Sequence, residues 1–144
     1  MILREDIVTE TLGWLGTPYR HQASIKGVGC DCLGLVRGVW RGLIGEEPET
    51  LPAYTANWAE SSCEERMAVA AGRHFDTIHA VDIQPGDIIL FRWRAHLPAK
   101  HAGIVVPGDR FVHAFEGASV VSSQFAGWWR RRIAYAFQFP GVID

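Results

Sequence analysis

The hydrophobic pattern of this chain changes period once, at Gln84-Pro85-Gly86-Asp87. Before that point apolar residues recur at helical spacing. After it they come in short β-rich runs bounded by turn residues. In the first part, Leu3, Ile7, Val8, Leu12 and Leu15 predict an amphipathic helix across residues 2–15, stopped by Gly16-Thr17-Pro18. Val36, Val39, Trp40 and Leu43 predict a second helix that starts at Cys32, is capped by Asp31 and ends near Gly42 or Gly45. A third is predicted from Ser61 to Gly72, with Ser61 or Ser62 near its cap. In the second part the runs 88–93, 102–106, 110–114, 119–122 and 133–139 read as strands, with turns at Pro107-Gly108-Asp109 and Glu116-Gly117. Helices first and sequential strands afterwards predict an α+β fold, with N-terminal helices packed on a C-terminal antiparallel sheet.

The segments between these elements read as loops. Tyr19 to Gly29 is polar and without period, and the acidic run Glu46 to Glu49 reads as a solvated surface. At 144 residues, 48% hydrophobic, the chain is expected to form one domain over residues 1–144. A formal charge of -2 argues against nucleic acid as a partner. No apolar run approaches the ~20 residues of a membrane span. The first residues carry Glu5 and Asp6 where an export signal has a basic region, so no signal peptide is expected.

Three cysteines, Cys30, Cys32 and Cys63, are too few and odd for a disulfide framework and fit a reducing compartment. The Cys30-x-Cys32 spacing lacks a second ligand pair for zinc, so no metal and no cofactor are expected. Cys32 is placed differently from an ordinary core thiol. A helix N-terminus favours the thiolate, because its first N–H groups are unpaired. Asp31 opposes that charge, which calls for an imidazolium partner. Among six histidines, His101 and His113 fall on predicted neighbouring strands, where a hairpin brings their rings together. The combination suits acyl transfer, with Cys32 as nucleophile, His101 as base and His113 as orienting residue. His21, His74, His79 and His96 read as surface residues.

With Gly16-Thr17-Pro18-Tyr19-Arg20, Gly29-Cys30-Asp31-Cys32-Leu33-Gly34-Leu35-Val36, His101-Ala102-Gly103-Ile104 and His113, the chain resembles the NlpC family of cell-wall endopeptidases over nearly its whole length. The resemblance implies a papain-like cysteine peptidase fold and cleavage of peptidoglycan stem peptides, typically between γ-D-glutamate and a diamino acid. It assigns the nucleophile to Cys32, the general base and acid to His101 and the third polar residue to His113. Tyr19 matches a tyrosine near the family's site, with substrate binding or oxyanion support as the role expected of it and of Asp31, and the backbone N–H of Cys32 is the expected oxyanion donor. Two departures stand out. Leu33 replaces the usual serine, and the glycine pair expected after the tyrosine motif is absent from His21-Gln22-Ala23-Ser24.

The segment from Glu46 to Trp58 looks like the branch found with phage tails and gene transfer agents. That likeness, with the expected lack of a signal peptide, implies synthesis in a bacterial cytoplasm, delivery to the wall by a phage-like particle or lysis, and tail proteins as partners. Two other readings fit the same residues. One is an acyltransferase, amidase or thioesterase; lipid-acting relatives commonly place histidine before cysteine, unlike the order here. The other is a non-catalytic tail component that holds wall peptides. Trp128-Trp129-Arg130-Arg131-Arg132 reads first as an amphipathic connector whose tryptophans pack on the sheet, and second as a contact for sugars, anionic wall polymers or a tail protein.

Overall fold

The structure is a computed structural model that describes residues 1–49 and 65–144. Helix α1 (Arg4–Leu12) is followed by the two-residue strands β1 (Ser24–Ile25) and β2 (Gly29–Cys30), helix α2 (Cys32–Leu43) and helix α3 (Arg66–His74). Strand β3 (Asp76–Ile78), a 3-10 turn at Ala80–Asp82, and strands β4 (Ile88–Phe91), β5 (His101–Val106), β6 (Arg110–Ala114) and β7 (Val120–Gln124) come next. The short helix α4 (Gly127–Arg130) and strand β8 (Ile133–Gln138) complete the order. Among the described residues the main sheet has the order β3-β8-β4-β5-β6-β7, with antiparallel pairing throughout. This is an α+β architecture with helices on an antiparallel sheet.

Strand alternation sorts the sheet into two buried faces. Ile88, Leu90, Ala102, Ile104, Val106, Val112 and Ala114 pack toward Leu35, Val36 and Val39 of α2. Ile89, Phe91, Val105 and Phe111 form a second cluster on the other face with Phe125 and Trp129. Phe91 pairs with His101, and Val105 with Phe111, so His101 and His113 belong to this second face. Both faces of β4 and β5 are therefore covered, which is why those strands read as unbroken apolar runs instead of alternating ones.

Helix α2 begins where its sequence predicts. Asp31 is extended (φ -102°) and its Oδ1 accepts from Gly34 N at 2.7 Å. The helix stops where Gly45 adopts φ 128°, a conformation that suits glycine alone. Gly34, Gly38 and Gly42 recur every four residues along α2 and let neighbours press close. A Cβ on Gly38 would lie 2.0 Å from the Trp14 ring, and one on Gly34 would lie 1.9 Å from the Ala23 carbonyl oxygen. That stripe, at a cost in helix propensity, seats α1 and the loop before β1 directly against the helix.

Several expectations are corrected. The first helix spans Arg4–Leu12, and it buries Ile7 and Thr11, while Leu3, Leu12 and Leu15 are 37%, 41% and 43% exposed. Ile2 and Trp14, flanking the helix, do the core work instead. Helix α3 runs to His74, beyond Gly72; the proposed caps Ser61 and Ser62, and Cys63, lie outside the described residues. The segment 19–29 holds the β1–β2 hairpin, and β3 was not expected because its three residues pair only at the sheet edge. The acidic run is not simply solvated. Glu47 bonds Arg37 at 2.6 Å and Arg41 at 2.9 Å, and Glu49 bonds His74 at 2.7 Å and Arg73 at 3.1 Å. His74, expected as a surface residue, is half-buried and hydrogen-bonded to Glu49.

Arg4 ties the two ends of the chain to the turn before β4. Its guanidinium reaches Asp87 Oδ1 at 2.7 Å, Pro85 O at 3.1 Å and Gln138 Oε1 at 3.3 Å, and its Nε donates to Asp144 O at 2.9 Å. The Asp87 side chain is 1% exposed, so its partner cannot be replaced by water. Arg4→Ala is expected to destabilise the protein by about 3 kcal/mol, the cost of orphaning a buried carboxylate, as measured by urea denaturation.

Candidate active site

Cys32 is the first residue of α2, and its half-buried side chain points toward the start of β5. Sγ lies 3.8 Å from the carbonyl oxygen of Lys100 and also meets the backbone N–H of Ala102, so it sits on the main chain flanking His101. The sulfur hydrogen-bonds this carbonyl, not the imidazole. The N–H groups of Cys32 and Leu33 also favour the thiolate, as a helix end should. They do not prevail: burial first, and then the Asp31 carboxylate, push the thiol up to about 12.

His101 starts β5 and is 7% exposed; His113, on β6, is fully buried. His101 Nε2 and His113 Nδ1 are 2.8 Å apart, and His113 Nε2 lies 2.8 Å from Ser123 Oγ on β7. The chain His101, His113, Ser123 thus crosses three adjacent strands on one face. Burial above all, then the neighbouring His113 and Lys100, lowers His101 to about 3, and burial lowers His113 to about 4. Both rings are neutral near pH 7. Against the expected imidazolium, desolvation of both groups favours a neutral thiol beside a neutral imidazole.

Aromatic rings enclose the pair. Trp93 stacks on His101 at 5.3 Å (27°), and Trp129 approaches His101 at 5.8 Å and His113 at 5.1 Å. Within the cluster 128–132, Trp129 packs on the sheet as the connector reading expects, but what it covers there is the histidine pair. Trp128 remains 47% exposed beneath the Arg132 guanidinium, 3.7 Å from its ring centre.

Asp31 does more than cap α2. Its Oδ2 accepts from Gln22 N at 2.7 Å and lies 3.9 Å from His21 Nδ1, which ties the loop ahead of β1 to the helix that starts at Cys32. Tyr19 forms a β-bridge with Cys30. Burial, followed by the charges of Cys32 and Asp31, pushes its hydroxyl well above its ordinary pKa, so it is a neutral donor near the thiol. Cys30 is fully buried and is likewise raised to about 12 by burial and Asp31, as an inert core thiol. Leu33 lines an apolar recess with Val36, Trp40, Met67 and Phe75, which gives this departure from the resembled motif a packing role.

Sequence reasoning did not find Ser123, Trp93 or Glu65. Glu65, ahead of α3, accepts from Ala99 N at 2.7 Å, Tyr135 Oη at 2.7 Å and Arg92 Nη2 at 3.1 Å, holding the segment that leads into Lys100 and His101. The only available signal was a carboxylate placed before a helical run.

The family model for the NlpC/P60 family matches residues 16–137. The chain belongs to the NlpC/P60 family. It is 29% identical over 131 residues to the murein DD-endopeptidase MepS/murein LD-carboxypeptidase of Escherichia coli K12, covering 90% of this chain and 60% of that protein. It is 26% identical over 137 residues to the gamma-DL-glutamyl hydrolase of Bacillus subtilis, covering 94% of this chain and 29% of the relative. It thus spans less than two thirds of the length of these relatives. Among solved structures, NlpC2 from Trichomonas vaginalis superposes with a TM-score of 0.66 at 23% identity, over 94% of this chain and 46% of the other. The NlpC/p60 domain of the peptidoglycan hydrolase SagA superposes with a TM-score of 0.65 at 21% identity, over 96% of this chain and 100% of the other. The fold is the papain-like α+β fold of this family.

Two measurements check the electrostatics. Alkylation of Cys32 by iodoacetamide is expected to climb with pH throughout the alkaline range, with no plateau at mildly acidic pH; such a plateau would instead reveal a thiolate–imidazolium pair. Asp31→Asn is expected to move that curve to lower pH by removing a charge that opposes the thiolate. The same change weakens the bond to Gln22 N, with a loss of about 1 kcal/mol in chemical denaturation.

Proposed function

We propose that this protein is a cysteine peptidase that cuts peptidoglycan stem peptides, with Cys32 as nucleophile, His101 as general base and acid, and His113 as the orienting residue. One observation carries the reading: the Cys32 sulfur lies on the main chain flanking His101, whose ring is hydrogen-bonded to His113 at 2.8 Å. Membership of the NlpC/P60 family supports the substrate class.

In the proposed reaction His101 Nδ1, the nitrogen not bonded to His113, removes the thiol proton as Sγ attacks the amide carbonyl. A turn of the Cys32 side chain away from Lys100 O precedes this step. Deprotonation is coupled to attack, because burial disfavours a standing thiolate. The oxyanion is met by the backbone N–H of Cys32, with the Tyr19 hydroxyl as a second neutral donor. The imidazolium of His101 then protonates the leaving amine. Finally His101 takes a proton from water as the water attacks the thioester and returns it to the departing sulfur, which releases the acid and regenerates the thiol and the neutral imidazole.

We assign the cleaved bond to the γ-D-glutamyl linkage to a diamino acid. The name of the Bacillus subtilis relative, a gamma-DL-glutamyl hydrolase, supports the γ-glutamyl side of that choice, whereas the Escherichia coli relative is named for DD and LD bonds. Delivery by a phage-like particle, with a tail protein as partner, is proposed from the look of residues 46–58, of which 50–58 lie outside the described residues. Release with lysis would serve the same end.

Digestion of defined muropeptides, read by mass spectrometry, tests the assignment. Wild type is expected to release the fragment ending in γ-D-glutamate, and Cys32→Ala to lose more than about 10³-fold in rate. Cleavage by Cys32→Ala at the wild-type rate would overturn the reading, and transfer of the acyl group to an added amine in preference to water would mark an acyltransferase.

A further inference from the structure

His113 is fully buried, and each of its ring nitrogens has one partner: Nδ1 faces His101 Nε2 and Nε2 faces Ser123 Oγ, both at 2.8 Å. We infer that Ser123 is a positioning residue, whose hydroxyl accepts the Nε2 proton of His113 and so holds the imidazole pair in the one arrangement that leaves His101 Nδ1 able to take a proton.

Two neutral imidazoles joined by one hydrogen bond have two proton arrangements. In the first, His101 carries its proton on Nε2 and donates to His113 Nδ1. His113 must then carry its own proton on Nε2, and Nδ1 of His101 is bare and basic. In the second, His113 donates from Nδ1 to His101 Nε2. His101 must then be protonated on Nδ1, and it cannot act as a base toward the thiol. The first arrangement leaves an N–H on the outer side of a buried ring, and a buried donor without an acceptor is costly. Ser123 Oγ supplies that acceptor; in the second arrangement the same hydroxyl would donate to the bare Nε2, so its loss orphans a buried donor in the first arrangement and only an acceptor in the second. Since the serine is only half-buried, its own proton is free to turn toward water.

The sheet register makes the placement specific. Phe111 pairs with Ser123 and His113 with Val121, so Ser123 is the diagonal neighbour of His113 on the same face. The adjacent Ser122 points to the other face, where its hydroxyl accepts from Arg110 Nε at 2.7 Å. Two consecutive serines thus have separate duties, and Ser122 is an internal control.

The kinetic part of this inference rests on the peptidase reading proposed above; the spectroscopic part does not. Full-length protein with ¹⁵N-labelled histidine is compared as wild type, Ser123→Ala, Ser123→Thr and Ser122→Ala. In wild type, His113 Nε2 is expected to be protonated and His101 Nδ1 unprotonated. In Ser123→Ala the population is expected to shift toward protonated His113 Nδ1, with kcat on muropeptides about three- to tenfold lower and KM little changed. Ser123→Thr, which keeps the hydroxyl, restores both, and Ser122→Ala resembles wild type. Histidine tautomers that are the same in Ser123→Ala as in Ser122→Ala overturn the inference, whatever the rate. Muropeptides left uncut by wild type would sink the peptidase reading and leave the tautomer comparison to decide the role of Ser123.

Discussion

Burial of the His101–His113 pair is the constraint from which the properties of this site follow. An imidazole pair set in a sheet face among Phe91, Phe111 and Trp129 loses the water that would stabilise its cationic form. The pair remains buried because each polar atom facing inward has a partner, and the aromatic rings supply contact area where solvent has gone. Desolvation then dictates the chemistry. In the proposed reaction, a neutral base and a neutral thiol favour an attack in which proton transfer and bond formation are coupled, over storage of a charged pair.

Cys32 meets a second constraint at Asp31. The carboxylate binds the N–H of Gly34 and that of Gln22, so it fixes both the first turn of α2 and the loop that carries Tyr19. The same negative charge raises the Cys32 thiol. A capping serine would spare the thiol this penalty, but a single hydroxyl could not hold both N–H groups with the two oxygens of a carboxylate. Rigid placement of Cys32 and a low thiol pKa are therefore in competition, and the structure resolves it toward placement.

Much of this was legible in the sequence. The helix beginning at Cys32 announced itself through its cap and its apolar stripe, and the meeting of the two histidines follows from hairpin geometry because the turn at 107–109 leaves little choice of register. Features that depend on distant chain segments were not legible. Ser123 has no pattern around it, and the ring it bonds, His113, lies on the neighbouring strand two residues out of register. The electrostatic state was misjudged for the same reason: a helix N-terminus is a local feature, whereas the desolvation of His101 is produced by Phe91, Trp93 and Trp129 from separate elements. Likewise Leu3, Leu12 and Leu15 match helical spacing, yet the core takes Ile2, Ile7 and Trp14, because the glycine stripe of α2 decides which side of α1 is approached.

The two faces of the sheet explain why the site stands at the start of β5 and not at its middle. Cys32 belongs to the helix side, with Leu35 and Val39, and His101 branches to the opposite face. Within a sheet, residues so divided are separated by the backbone itself. At the first residue of a strand the wall ends, and Cys32 Sγ already rests on its edge at Lys100 O. The segment before that edge must therefore be held still, and the bonds from Ala99, Arg92 and Tyr135 to Glu65 do this from outside the sheet. Among the described residues Glu65 bonds neither Cys32 nor His101, yet the placement of Lys100 and His101 beside the thiol depends on where it holds Ala99.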